Sequence, residues 1–156
     1  GRTGADLLEG GAGDDQLSGN QDSDTLIGGA GDDSIYAQFG DDLAEGGFGD
    51  DLIFGGLDDG SDTLVGGEGD DVLYGLGGAD VFVFGEGDGV DTVKDFTSGL
   101  DQLDLTGLGE DYDTFAEVLA AGSQDGGDAV FVFGADQLIL EGATLSALTA
   151  DDFILG

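Results

Sequence analysis

Aspartate recurs along this chain on a fixed beat. From Asp6 it returns at Asp15, Asp24, Asp33, Asp42, Asp51, Asp62, Asp71, Asp80 and Asp91, nine residues apart except for two steps of eleven. Two residues after each stands an apolar residue: Leu8, Leu17, Leu26, Ile35, Ala44, Ile53, Leu64, Leu73, Phe82 and Val93. Ahead of most of them runs a glycine-rich stretch, such as "GGAGDD" at 28–33 and "GGFGDD" at 46–51. Glycine permits positive φ and tight turns, so the first half of each copy is predicted to be a loop. The second half alternates as a strand does, one apolar residue facing inward. A loop and so short a strand cannot bury a core alone, so the copies must stack and cover one another.

The charge says what such a stack needs. Thirty-six acidic residues stand against two basic ones, for a net charge of −34. Aspartates stacked at the strand spacing of about 4.8 Å repel by about 1 kcal/mol in water, and by about four times that at an effective dielectric near 20. Compaction therefore calls for a cation. With no Cys and no His, zinc and the other borderline metals lose their usual ligands, while a hard cation satisfied by oxygen keeps its own. Nucleic acid and anionic membrane surfaces carry the same sign and are excluded as partners. No apolar run reaches the roughly 18 residues of a membrane span.

The copies resemble the repeats-in-toxin (RTX) calcium-binding nonapeptide G-G-x-G-x-D-x-U-x, over residues 1 to about 94. The resemblance implies an all-β fold, a right-handed parallel β-roll with two nonapeptides to the turn. Loop n then lies over loop n+2, with calcium between them. It implies metal ligation by the side chains of Asp6, Asp15, Asp24, Asp33, Asp42, Asp51, Asp62, Asp71, Asp80 and Asp91. It adds the backbone carbonyls of Gly11, Gly13, Gly29, Gly31, Gly47, Gly49, Gly67 and Gly69. Up to about eight Ca2+ ions would cancel nearly half of the −34 charge. Copies three and five depart from the pattern: Asp22 replaces a glycine, "AQFGDD" lacks the opening pair, and Ala44 is a small core residue.

After Lys94 the beat stops, so the chain divides into repeats 1–94 and a tail 95–156; nine of the 34 glycines fall in the tail. A solenoid end needs an atypical cap. Short strands are predicted around a turn at Ser98-Gly99, and one helix over "TFAEVLAAG", with a Thr114/Glu117 capping box and Gly122 as its stop. A hairpin is predicted to turn at Gly134-Ala135-Asp136. The "DFTSGLDQLDLTGLG" and "LTADDFILG" segments resemble the C-terminal cap of type I secreted bacterial proteins such as serralysin-type proteases. That resemblance implies an export signal near Asp152-Phe153-Ile154-Leu155. Asp95, Asp101 and Asp104 are candidates for an irregular last calcium site.

The expectation is a calcium-dependent folding, stabilisation and export module, itself no enzyme, from the C-terminal part of a secreted or cell-surface bacterial protein. Its partners would be calcium and the type I secretion machinery. The alternative is a carbohydrate- or surface-binding module whose partner is extracellular polysaccharide. Periodicity also predicts an outward row of Ser18, Tyr36, Phe54 and Tyr74, with Phe54 and Tyr74 as a seat for the cap.

Overall fold

The computed structural model describes residues 1–156 and consists mostly of strands. Ten strands follow the beat: β1 (Leu7–Ala12), β2 (Gln16–Gln21), β3 (Thr25–Ala30), β4 (Ser34–Phe39), β5 (Leu43–Phe48), β6 (Leu52–Gly56), β7 (Thr63–Glu68), β8 (Val72–Leu76), β9 (Val81–Gly85) and β10 (Val90–Val93). The tail adds β11 (Gln102–Gly107), the helix α1 (Phe115–Ala121), β12 (Gly122–Asp125), β13 (Asp128–Phe133), β14 (Asp136–Leu140) and β15 (Phe153–Ile154).

Every strand of the beat pairs in parallel with the strand two copies on. Leu26 lies opposite Ala44, and Ala44 opposite Leu64, in one sheet; Leu17, Ile35, Ile53 and Leu73 align in the other. The odd repeat strands lie in a seven-stranded sheet, β1-β3-β5-β7-β9-β11-β15, and the even ones in an eight-stranded sheet, β12-β13-β14-β10-β8-β6-β4-β2. The apolar residue of each copy points between the sheets, and from Leu26 to Phe82 these positions are buried. Burying one such Leu, Ile or Phe contributes about 1.5–3 kcal/mol.

The beat ends at Lys94 but the stacking does not. Strand β11 pairs in parallel with β9, and β14 pairs in parallel with β10. The cap thus lengthens both sheets before closing them. Phe84 occupies the inward position that glycine fills in most copies, and its ring packs 5.8 Å from Phe133. Around it Phe82 meets Phe96, Tyr112 meets Phe133, and Phe131 meets Phe153.

The predicted hairpin is β13–β14, with Phe133 opposite Asp136 and Gly134 at φ 69°. Helix α1 carries the Thr114/Glu117 capping box. Gly122 does not end the helix in a left-handed turn; it is extended, at φ −88° and ψ 150°, because the chain passes straight into β12.

The outward aromatic row forms: Tyr36 and Phe54 stack with centroids 5.1 Å apart, Phe54 and Tyr74 at 4.8 Å. The cap, however, does not sit on it. It continues the even sheet edge-on, so the row runs on from Tyr74 to Lys94, whose ammonium pairs with Glu141 beside it. The two strand ends meet there because Val93 lies opposite Leu140.

Candidate functional site

The sixth-position aspartates form two columns, one at each edge of the roll. From Asp24 to Asp91 all eight are buried. Within a column each aspartate's backbone N–H donates to Oδ1 of the aspartate one turn on. The odd column runs Asp6 to Asp24 at 2.7 Å, Asp24 to Asp42 at 2.6 Å, Asp42 to Asp62 at 2.9 Å and Asp62 to Asp80 at 3.0 Å. The even column runs Asp15 to Asp33, Asp33 to Asp51 and Asp51 to Asp71, each at 2.7 Å, and Asp71 to Asp91 at 3.0 Å. One carboxylate oxygen is therefore committed to register between turns.

The other oxygen has no partner. Oδ2 of Asp24, Asp33, Asp42, Asp51, Asp62, Asp71 and Asp91 is buried without a hydrogen bond. An unpaired buried charge of this kind costs several kcal/mol, so native chains pair it or give it a metal. Burial pushes the carboxyls of Asp51 and Asp80 up to about 6, Asp62 and Asp71 to about 7, and Asp91 to about 8. The neighbouring carboxylates push the same way, and the hydrogen bond from the preceding turn opposes them.

The first residue of each copy faces this orphaned oxygen. A methyl group on Gly10 would lie 2.8 Å from Oδ2 of Asp15 and 2.7 Å from the carbonyl oxygen of Gly28. One on Gly19 would lie 2.7 Å from Oδ2 of Asp24 and 2.5 Å from the carbonyl oxygen of Ala37. Gly28, Gly46 and Gly55 stand in the same way before Asp33, Asp51 and Asp62, with the carbonyls of Gly46, Gly66 and Gly75 one turn on. Each is an oxygen-lined cradle kept open because the residue has no Cβ. Ala37 stands at this first position in copy five and Phe84 in copy ten, both buried, and Asp91 of copy ten has the highest carboxyl pKa of its column.

Seven of the eight carbonyls expected from the resemblance, that of Gly67 aside, also point into the gap between turns, Gly69's towards Gly89. Those of Gly11, Gly29 and Gly47 are aimed at Gly29, Gly47 and Gly67 one turn on, where any Cβ would strike them; those of Gly13, Gly31 and Gly49 are aimed at Gly31, Gly49 and Gly69. Copy three keeps this shape without glycine: Asn20 and Asp22 adopt φ 86° and 71°, a region their short polar side chains tolerate. Nowhere do three acidic side chains converge. A cation here would draw two carboxylates and otherwise main-chain oxygen, a donor set that fits calcium and suits magnesium poorly.

Of the three tail candidates Asp104 stands apart, while Asp95 lies near enough to Asp101 for its charge to help raise the Asp101 carboxyl. Asp101 extends the odd column by one turn, accepting from Asp80 N at 3.1 Å and from Thr97 N at 2.8 Å. Both its oxygens are satisfied, so it closes the column. Asp95 accepts from the backbone of Gly75 and Leu76. Asp104 lies on the outward face of β11, where strand alternation puts it opposite Leu103 and Leu105, and it caps its own turn through Thr106. Sequence reasoning missed the first-position carbonyls, for which the repeated glycine was the available signal. It also missed a second, exposed ladder in which Asp14, Asp32, Asp50 and Asp70 accept from the next turn.

The model of the RTX calcium-binding nonapeptide repeat (4 copies) matches residues 1–35, 27–60 and 57–91, more than half of the chain. The chain belongs to this RTX calcium-binding repeat family. Among solved structures, the chain is similar to the AlgE6R3 subunit of the mannuronan C5-epimerase of Azotobacter vinelandii. The identity is 27% and the TM-score 0.57, over 93% of this chain and 80% of that one. It also shares a fold, at 19% identity and TM-score 0.57, with the extracellular lipase LipA of Serratia marcescens; all of this chain is covered but only 40% of the lipase. No curated protein sequence matches it. The RTX repeats bind calcium as a family, and the parallel roll that the repeat implies is the fold observed.

Proposed function

We propose that the chain is a calcium-dependent folding, stabilisation and export module of a secreted bacterial protein. One observation carries this reading: seven sixth-position carboxylate oxygens are buried without any partner, and carbonyl-lined cradles face those of Asp24, Asp33, Asp51 and Asp62. The proposed ligands are Oδ2 of the sixth-position aspartates, the first-position carbonyls, and the carbonyls of the second and fourth positions. When bound, calcium would supply the positive charge and the oxygen coordination that these groups lack. Oδ1 and the main chain hold the turns in register; glycine keeps the cradle open; the inward apolar row excludes water.

Without that charge, orphaned carboxylates outweigh what so thin a core contributes, and the chain is a coil. Metal binding is then folding free energy. Calcium modules of the extracellular class bind at 10⁻⁴–10⁻³ M, so such a chain stays unfolded in a calcium-poor cytoplasm and folds outside. The secreted character of the family and the extracellular lipase that shares the fold support this localisation. An export signal at Asp152–Leu155 fits an unfolded passage, since in the folded cap Asp152 and Phe153 are buried.

Far-UV circular dichroism of the chain titrated with calcium, and separately with magnesium, tests the reading. Coil in chelator and strand signal on adding calcium are expected, with a far weaker response to magnesium. A folded spectrum in chelator overturns it.

A further inference from the structure

The two edges of the roll are unlike. Loops leading into β4, β6 and β8 read "GGAGDD", "GGFGDD" and "GGEGDD"; those leading into β5, β7 and β9 read "AQFGDD", "GGLDDGSD" and "GLGGAD". Both edges expose apolar side chains, Phe48 at 58% on the regular one, but the irregular edge clusters three: Phe39 is 50% exposed, Leu57 83% and Leu76 45%. With the rings of Tyr36 and Phe54 they line one groove of about 260 Å³. Gly56, in register between Gln38 and Leu76, leaves the middle of the groove without a side chain.

The backbone that carries this surface makes the repeat's second-position turn without glycine. Gln38 and Leu76 hold φ at 86° and 71°, where the regular edge has Gly29, Gly47 and Gly67. For a branched, bulky residue such as Leu this region is a genuine outlier. Asp95 fixes the strained segment by accepting from Gly75 N and Leu76 N. No core burial offsets the strain, since Leu76 points to solvent. Exposed apolar side chains clustered in one groove mark an interaction site.

The lining decides what fits. A sugar platform needs exposed ring faces, but Tyr36, Phe54 and Tyr74 turn their faces to one another, with interplanar angles of 6° and 14°. A glycan also needs free polar groups, and the amide of Gln38 already donates to Ser18 Oγ at 2.5 Å. Asp41 and Asp59, both exposed, adjoin the lining residues in sequence, on a chain with 36 acidic residues against two basic ones. An anionic bilayer and a second copy are both repelled by that charge.

We propose that this groove receives a cationic peptide segment whose aromatic or aliphatic side chains enter between Phe39, Leu57 and Leu76, while its Lys or Arg residues meet the acidic rim. Apolar anchors would supply the affinity and the charge the encounter rate. The groove borders the calcium loops, since Gly55 of the Asp62 cradle and the second-position residues Gln38, Gly56 and Leu76 line it. The peptide would contact the exposed side chains of Phe39, Leu57 and Leu76 and not the carboxylates of the columns, so the proposal goes beyond the calcium reading.

The test uses the full chain in calcium, shown to be folded by circular dichroism, at physiological ionic strength. Fluorescence anisotropy measures binding of a dye-labelled peptide that alternates Lys with Phe and Leu, and of a control with Ser in place of Phe and Leu. Phe39→Ser and Leu57→Ser change exposed side chains off the core and leave folding intact. Each is expected to weaken the apolar peptide about fivefold or more, while the Lys/Ser control binds more weakly and ignores both substitutions. Equal binding by the two peptides, or no effect of the substitutions, overturns the proposal. So does displacement of the peptide by neutral maltohexaose, which gives the groove to a glycan. Self-association in sedimentation velocity that Phe39→Ser abolishes gives it to a second copy and likewise overturns it.

Discussion

Acid should do part of calcium's work. In chelator at pH 8 the orphaned carboxylates are charged and the roll is opposed by them; protonation removes the charge without supplying a ligand. The carboxyl of Asp62 is raised from 3.8 to about 7, chiefly by burial, and those of Asp51, Asp71, Asp80 and Asp91 to between about 6 and about 8. A folded-state pKa above the unfolded one means that the fold takes up protons. This contribution is whole below about pH 4 and is lost as pH rises through 6 to 8. Taken whole, the shift at Asp62 corresponds to about 4 kcal/mol. Screening by water at the loops reduces it, and even a quarter leaves ~1 kcal/mol per carboxylate. Five such groups contribute about 5 kcal/mol, the size of a small domain's net stability. We therefore expect strand signal in far-UV circular dichroism, with chelator present, as pH falls from 8 towards 4.5. Sedimentation velocity must show that the species remains a monomer. Protonation of exposed carboxyls would also ease repulsion, so the variant carrying Asp62→Asn, Asp71→Asn and Asp91→Asn separates the two causes. It should fold in chelator already at pH 7, with a much flatter pH dependence. A wild-type chain that stays a coil down to pH 4.5, or a triple variant no better folded than wild type, refutes the reasoning.

Gly46→Ala places a methyl between Asp51 Oδ2 and the carbonyl of Gly66, and should shift the calcium midpoint of folding several-fold upward. Gly127→Ala, which meets nothing within 4 Å, should leave it unchanged. Truncation after Lys94 removes β11 and β14, opens the edges of β9 and β10 and uncovers Phe82 and Phe84, so strand signal should be lost at calcium that saturates the full chain. Asp152 is buried; burial works to raise its carboxyl, but hydrogen bonds from Thr149 N, Gly99 N and Ser98 Oγ outweigh it and hold the pKa below the usual range. Asp152→Ala should cost about 2–3 kcal/mol of the calcium-bound fold in thermal unfolding. The wild-type contribution should be lost only as pH falls below about 4, the opposite sign to the repeat aspartates.

Most of the stack was legible because period encodes it. A beat of nine with one inward apolar residue fixes which strands are neighbours, and the pairing of Ile35 with Ile53 or Tyr36 with Phe54 follows from it. What each group does inside the stack was not legible. Spacing puts aspartate over aspartate, but only the direction of the backbone N–H decides that Oδ1 is spent on register and Oδ2 left bare. The glycine at the first position looked like a turn former, whereas its missing Cβ opens the cradle. The cap was legible in its local signals, the capping box of α1 and the β13–β14 turn. Its docking was not: β14 reaches β10 across 47 residues with no repeat to announce it. The aromatic row was read correctly as a stack and wrongly as a seat, because a sheet extended at its edge leaves its outer face uncovered.

The central claim is that the bare Oδ2 atoms are where calcium binds. A crystal structure of the calcium-loaded chain, with the ions located by their anomalous scattering, tests it most directly. Ions should lie between stacked turns, about 2.3–2.6 Å from sixth-position Oδ2 atoms and from main-chain carbonyls, with none in the position that Phe84 fills. Ions bound instead along the exposed Asp14, Asp32, Asp50 and Asp70 ladder, over empty cradles, would contradict it.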